Sequence, residues 1–208
     1  MGAAVNELLL KPACRRLAFL LLLLPFVQLV ALAMTEGLGP NPQETLIRST
    51  GDWALRLICL ALVVTPLRVS FVLPALARWR RMVGLFAFFY AAMHLVCYAV
   101  FDMGLDAAAI MADIIKRPFI LVGVLTFVLL VPLAATSFNA AIRRLGAARW
   151  QAIHRLVYPA SLTMLLHFFW MRAGKSDFAE VWVYTGVVLV LLGWRLRRWL
   201  QSRRSLRI

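Results

Sequence analysis

The sequence predicts an all-α integral membrane protein, a bundle of about six transmembrane helices with both termini in the cytoplasm. Three observations carry this. Of the 208 residues, 63% are hydrophobic and only 15% charged, too little polar surface for a water-soluble domain of this length. Six apolar stretches approach the roughly 20 residues that cross a bilayer. The basic residues collect at alternate ends of those stretches, as cytoplasmic loops do. The net charge of +14 therefore reads as topology. No nucleic-acid partner is expected, and lipid is the expected surrounding.

The first stretch runs from Leu17 to Met34 and the second from Trp53 to about Leu67. The third covers Met82 to Phe101, the fourth Pro118 to Phe138, the fifth Ala152 to Met171 and the sixth Phe178 to Trp194. The second is short and carries Arg56 near its start. Lys11, Arg15 and Arg16 precede the first stretch. Arg68, Arg78, Arg80 and Arg81 separate the second from the third, and Arg143, Arg144 and Arg149 the fourth from the fifth. Arg195, Arg197, Arg198, Arg203, Arg204 and Arg207 follow the sixth. That puts 16 basic residues on one side, against Arg48, Lys116, Arg117, Arg172 and Lys175 on the other. Every acid but Glu7 falls on the second side, so the first is cytoplasmic. The N-terminus also resembles a signal peptide, with a basic start and Ala31-Leu32-Ala33 after the apolar run. Leu17 to Met34 is longer than the usual h-region of about 7–15 residues, so the segment is expected to stay as an anchor.

No tract looks like a linker, an internal repeat or a soluble domain, so residues 1–208 form one transmembrane unit. Cys14, Cys59 and Cys97 show no metal-ligand spacing and make no disulfide framework. Cys59 and Cys97 read as small buried apolar residues. Nucleotide-binding glycine patterns, a catalytic triad, a zinc-protease motif and paired intramembrane carboxylates are all missing.

The chemistry rests on His94, His154 and His167, the only histidines, all inside predicted spans. An ionisable residue in hydrocarbon is costly and marks a functional site. His94 lies about 12 Å from the outer end of the third span, and His167 about 8 Å from the same face on the fifth. Two imidazoles at one level on different helices suit the two axial positions of one haem iron, which leaves no open site for oxygen chemistry. His154 lies nearer the cytoplasmic end of the fifth span. On a continuous helix it is roughly 20 Å from His167 and about 140° around the axis, with Pro159 between them able to kink the helix. The third-span residues at matching depth are Arg80 and Arg81, which are not iron ligands. His154 therefore either holds a second cofactor with an unusual partner or contacts another group. Arg56 and Arg172, near the outer ends of spans, are placed to hold haem propionates or to snorkel to head groups.

Several segments together resemble a known family. They are Arg80-Arg81-Met82-Val83-Gly84 leading to His94, Arg117-Pro118-Phe119 opening the fourth span, and Trp150-Gln151-Ala152-Ile153-His154-Arg155-Leu156-Val157-Tyr158 leading to His167. Thr50-Gly51 to Leu55-Arg56 and Val64-Thr65-Pro66-Leu67 also fit. Their order and spacing are similar to the MsrQ (YedZ) family, haem-binding membrane subunits of a protein-methionine-sulfoxide reductase system. More broadly they resemble the ferric-reductase-like transmembrane domain, with a core over about 49–171. The resemblance implies b-type haem and FMN as cofactors, with His94, His154 and His167 as haem ligands. It implies electrons from the quinone pool or a cytosolic flavin reductase, and delivery to MsrP, a periplasmic molybdopterin-containing reductase that repairs oxidised methionines. It implies the bacterial inner membrane as location. Arg80 and Arg81 then face a flavin phosphate or an inner cofactor, or serve topology alone. Larger ferric reductases carry two histidines on each of two helices; the fourth is missing here. The competing reading is a histidine-relay proton channel or small transporter, which would be colourless.

Overall fold

The computed structural model describes residues 2–174 and 176–204. Lys175 and Arg207, used in the charge asymmetry, lie outside the described residues, as does the side chain of Arg204. The elements are α1 (Gly2–Leu10), α2 (Pro12–Met34), α3 (Pro42–Ser70), α4 (Leu76–Cys97), α5 (Ala107–Lys116), α6 (Pro118–Ala135), α7 (Asn139–His154), α8 (Val157–Ala173) and α9 (Ala179–Arg204). A π-helical turn, Tyr98–Asp102, continues α4. There is no strand among the described residues. α2, α3, α4 with its π turn, α6 and α9 are each long and apolar enough to cross a membrane. The chain is thus a multi-pass membrane protein. α8 has 17 residues and packs against α6, α9 and α3.

Several boundaries differ from the sequence expectation for local reasons. α3 starts eleven residues before Trp53, because a cap rather than apolarity sets its beginning. Asn41 accepts from the Glu44 N–H at 3.3 Å and donates to its carboxylate at 3.0 Å, with Pro42 at the first helical position. Arg48, Gly51 and Asp52 therefore sit on a helix. The segment between the fourth and fifth stretches is helical, not a loop. α7 fills it and is kinked at Gly146, whose φ of 74° favours glycine. The fifth stretch is not continuous either. α7 ends at His154 and α8 begins at Val157. Pro159 lacks the N–H that an uninterrupted helix would need there, and it stands instead in the first turn of α8, where that loss costs nothing. His154 and His167 thus belong to different helices, and the single-axis spacing does not apply.

The core is built chiefly by α3, α4 and α8. Leu62, Ala87, Tyr90 and Ala160 are almost fully enclosed, while α2 buries only Pro25 and Leu29. Large apolar side chains on α2, α6 and α9 face outward, as lipid contact requires. α2 is nevertheless fastened. Pro25 interrupts its hydrogen-bond ladder, and the next turn is opened by a neighbour. The Tyr90 hydroxyl donates to the Leu22 carbonyl at 2.9 Å and accepts from the Phe26 N–H at 3.0 Å. Those two backbone groups would otherwise pair with each other, so a side chain from α4 has inserted into the helix.

Candidate functional site

His94 on α4 and His167 on α8 meet with ring centroids 6.1 Å apart and planes at 77°. Each is tied back to another helix by the same atom. His94 Nδ1 lies 2.8 Å from the Ile47 carbonyl of α3, and His167 Nδ1 lies 2.6 Å from the Phe119 carbonyl of α6. A carbonyl can only accept, so each Nδ1 carries the proton and each Nε2 keeps its lone pair. Both side chains are thereby fixed in the tautomer that a metal ligand needs, with the outer partner that raises its basicity.

Two glycines make these tethers possible. A Cβ on Gly51 would stand 3.0 Å from His94 Nδ1, and one on Gly123 would stand 2.9 Å from both Nδ1 and Cε1 of His167. Each glycine follows its accepting carbonyl by four residues, Ile47 to Gly51 and Phe119 to Gly123, one helical turn. The missing side chain exposes the carbonyl below it to the imidazole. The arrangement occurs twice: 43 residues separate Gly51 from His94, and 44 separate Gly123 from His167. The helix pairs α3–α4 and α6–α8 thus correspond, which hydropathy alone does not reveal.

Both imidazoles line a cavity of about 480 Å³ whose walls include Leu55, Ala91, Phe127, Leu130, Met164 and Phe168. Its mouth carries Arg48, Asp52, Asp102 and Arg117. Arg48 is paired with Glu44 at 2.6 Å and Arg117 with Asp113 at 2.8 Å. Two imidazoles on one metal ion at nitrogen–metal lengths of about 2 Å place their ring centroids roughly 6 Å apart. The observed spacing matches, and the surrounding space and apolar walls suit a flat macrocycle. No group of three or more His, Cys, Asp or Glu side chains among the described residues could hold a bare ion.

His154 is held differently. Its Nε2 lies 3.1 Å from the Thr136 hydroxyl, and that hydroxyl gives its proton to the Pro132 carbonyl at 2.6 Å. Nε2 is therefore the donor and Nδ1 keeps the lone pair. Trp150 covers the ring at a centroid distance of 4.0 Å and donates its own N–H to the Thr136 carbonyl at 3.0 Å. His154 lines a second cavity of about 430 Å³ with Arg68, Arg80 and Arg81. No second histidine reaches it.

The other two arginines of interest lie outside both cavities. Arg56 donates to the Tyr184 hydroxyl at 3.2 Å and rests over Trp53. Arg172 bridges Asp177 and Glu180 and lies over Phe168. The cations at the outer cavity are instead Arg48 and Arg117. Cys59 is buried, Cys14 and Cys97 are half-buried, and all three are free thiols. Gly51 and Gly123 were the residues that sequence reasoning undervalued. The available signal was a glycine in mid-span at nearly equal distance from each of two histidines.

Comparison with known proteins identifies relatives of the chain. The ferric reductase like transmembrane component family matches residues 50–165, a stretch holding both glycines and His94 and His154. The chain is 59% identical to a protein from Polaromonas naphthalenivorans over 97% of its own length and 93% of the relative's. It is 52% identical to one from Ralstonia nicotianae over 88% and 85%, and 46% identical to one from Herminiimonas arsenicoxydans over 92% and 87%. Each of these relatives is described as the MsrQ haem-binding subunit of protein-methionine-sulfoxide reductase. No solved structure matches. With paired helices, paired tethers and these relatives in view, the chain belongs to the MsrQ family of ferric-reductase-like transmembrane proteins.

Proposed function

We propose that this chain is a haem-binding membrane subunit that carries electrons across the bilayer for a methionine-sulfoxide reductase. The observation that carries the reading is the pair of imidazoles at 6.1 Å, each with Nδ1 spent on a backbone carbonyl and Nε2 left for a metal. His94 and His167 would hold one b-type haem. When bound there, the haem would supply one-electron chemistry. The chain supplies orientation through the Ile47 and Phe119 carbonyls, and the apolar walls keep water from the centre.

The topology belongs to the same proposal. α8, about 25 Å long at 17 residues, serves as the sixth crossing. Both termini are cytoplasmic, and the imidazole pair lies toward the outer face of the bacterial inner membrane. The substrate-reducing centre resides on a partner, the periplasmic MsrP. Quinone or a cytosolic flavin reductase delivers electrons at the opposite face, where His154, Arg80 and Arg81 line the inner cavity, and FMN is the further cofactor that the family resemblance implies.

The test is the haem-to-protein ratio of purified protein with a reduced-minus-oxidised spectrum. A six-coordinate low-spin haem spectrum, lost in both His94→Ala and His167→Ala, is expected. A colourless protein with pH-dependent ion flux would replace this reading with that of a histidine-relay channel.

A further inference from the structure

We infer that Asp113 is a positioning residue of the outer site: from α5 it holds Tyr98 and Arg117 together at the cavity mouth and so fixes how the two imidazoles face each other. The inference rests on the haem reading, and one arm of its test needs no haem.

The first observation is how α5 is attached. Its one buried residue is Asp113, which is also the one buried acidic side chain among the described residues. Met111 and Ile115 of the same helix are exposed. A helix seated by apolar contact buries its apolar stripe; α5 buries a carboxylate instead. A buried carboxylate is costly unless it is paired and hydrogen-bonded, and this one is both. Its Oδ2 accepts from the Tyr98 hydroxyl at 2.9 Å, and its Oδ1 pairs with Arg117 Nε at 2.8 Å. Tyr98 and Arg117 line the outer cavity, whereas Asp113 does not. It acts on the cavity through them.

The second observation is what those two partners carry. Tyr98 opens the π turn, one helical turn after His94. Arg117 caps the start of α6, two residues before Phe119, whose carbonyl holds His167 Nδ1. One carboxylate thus joins the helix of the first imidazole to the tether of the second. The Arg48–Glu44 pair, by contrast, joins two residues of the same helix.

The third is the backbone that leads into α5. Gly104 and Leu105 have positive φ, 59° and 62°. The left-handed region is disfavoured for leucine, and such backbone persists only where its surroundings impose it. The Met103 and Leu105 N–H groups donate to the Tyr98 and Ala99 carbonyls at 3.1 and 2.8 Å, which fastens the near end of the turn. Asp113 fastens the far end by reaching back to the Tyr98 side chain. Without it, the end of α4 and the start of α6 can shift independently, and the imidazole planes, 77° apart, turn with them.

The experiment compares the full chain with D113A, D113N and Y98F in detergent micelles, each at unchanged helicity. Transfer of haem to excess apomyoglobin gives the loss rate. It should rise about tenfold or more in D113A, and less in D113N, whose side-chain oxygen still accepts from Tyr98. The low-spin EPR signal, whose anisotropy reports the angle between axial imidazole planes, should shift in D113A and partly return in D113N. Y98F should raise the loss rate alone but add nothing to D113A, because that contact is already gone. Hydrogen–deuterium exchange of the α5 amides is read with or without haem; it should rise in D113A and stay at the wild-type level in M111A/I115A. An unchanged loss rate and EPR signal in haem-loaded D113A, or additive effects of Y98F and D113A, would overturn the inference. So would faster α5 exchange in M111A/I115A but not in D113A, which would mean that the apolar face holds the helix. If the wild-type protein binds no haem, the haem reading falls by itself. Raised exchange in D113A then still upholds the Asp113 clasp, and unchanged exchange overturns it.

Discussion

The two cavities are similar in size, about 480 and 430 Å³, and are walled largely by the same helices, yet their linings differ. At the outer cavity two imidazoles are tethered through Nδ1, and the charges at the mouth are mixed. At the inner cavity one imidazole is tethered through Nε2, and the ionised neighbours are cationic. Helix packing sets where a side chain points. The choice of backbone carbonyl or threonine hydroxyl as tether then sets which nitrogen it offers.

The most severe way to break this contrast is at the outer pair. His94→Ala or His167→Ala should each abolish six-coordinate haem, because a single imidazole cannot fill both axial positions; His154→Ala should leave that spectrum in place. Loss of the spectrum in His154→Ala alone would reverse the assignment. Next come the niches. Gly51→Ala and Gly123→Ala should reduce haem occupancy several-fold and destabilise the protein by about 1–3 kcal/mol, the usual cost of overpacking, as read by thermal melting and the haem-to-protein ratio. Gly84→Ala should change neither, since its Cβ meets open space.

A smaller effect is expected at the inner tether. Thr136→Val removes the acceptor of His154 Nε2, which costs about 1–3 kcal/mol if the donor is left unpaired. Its outer haem spectrum should match wild type. The smallest expected effect is that of Tyr184→Phe, which deletes the hydrogen bond from Arg56. It should cost about 0.5–1.5 kcal/mol without moving the haem absorbance. A clear spectral change there would mean that Arg56 senses the cofactor after all.

The legible parts of this molecule were those written in long-range hydropathy. Apolar runs located the crossing helices, and counting from their polar ends put His94 and His167 at one level. The illegible parts were set by single backbone groups. Asn41 and Glu44 begin α3 within a polar stretch, so an apolar window starts too late. The break before Val157 lies inside the stretch read from Ala152 to Met171 as one span, and Pro159 marks it only to a reader who asks which carbonyl loses its donor. The arginines of α7 read as a loop because basic charge signals topology whether the backbone is helical or not. The niches at Gly51 and Gly123 needed the fold, since a glycine in a span equally suits plain helix contact.

Tyr90 adds a condition on how the bundle is put together. Its hydroxyl completes a turn of α2 that is otherwise open beside Pro25, and His94 lies one turn further along the same helix. The first long helix therefore reaches its final shape only when α4 lies alongside it, and the residue that splices it shares a helix with His94. The lipid-facing edge of the bundle and the helix that carries one imidazole of the outer pair are completed together rather than in separate steps.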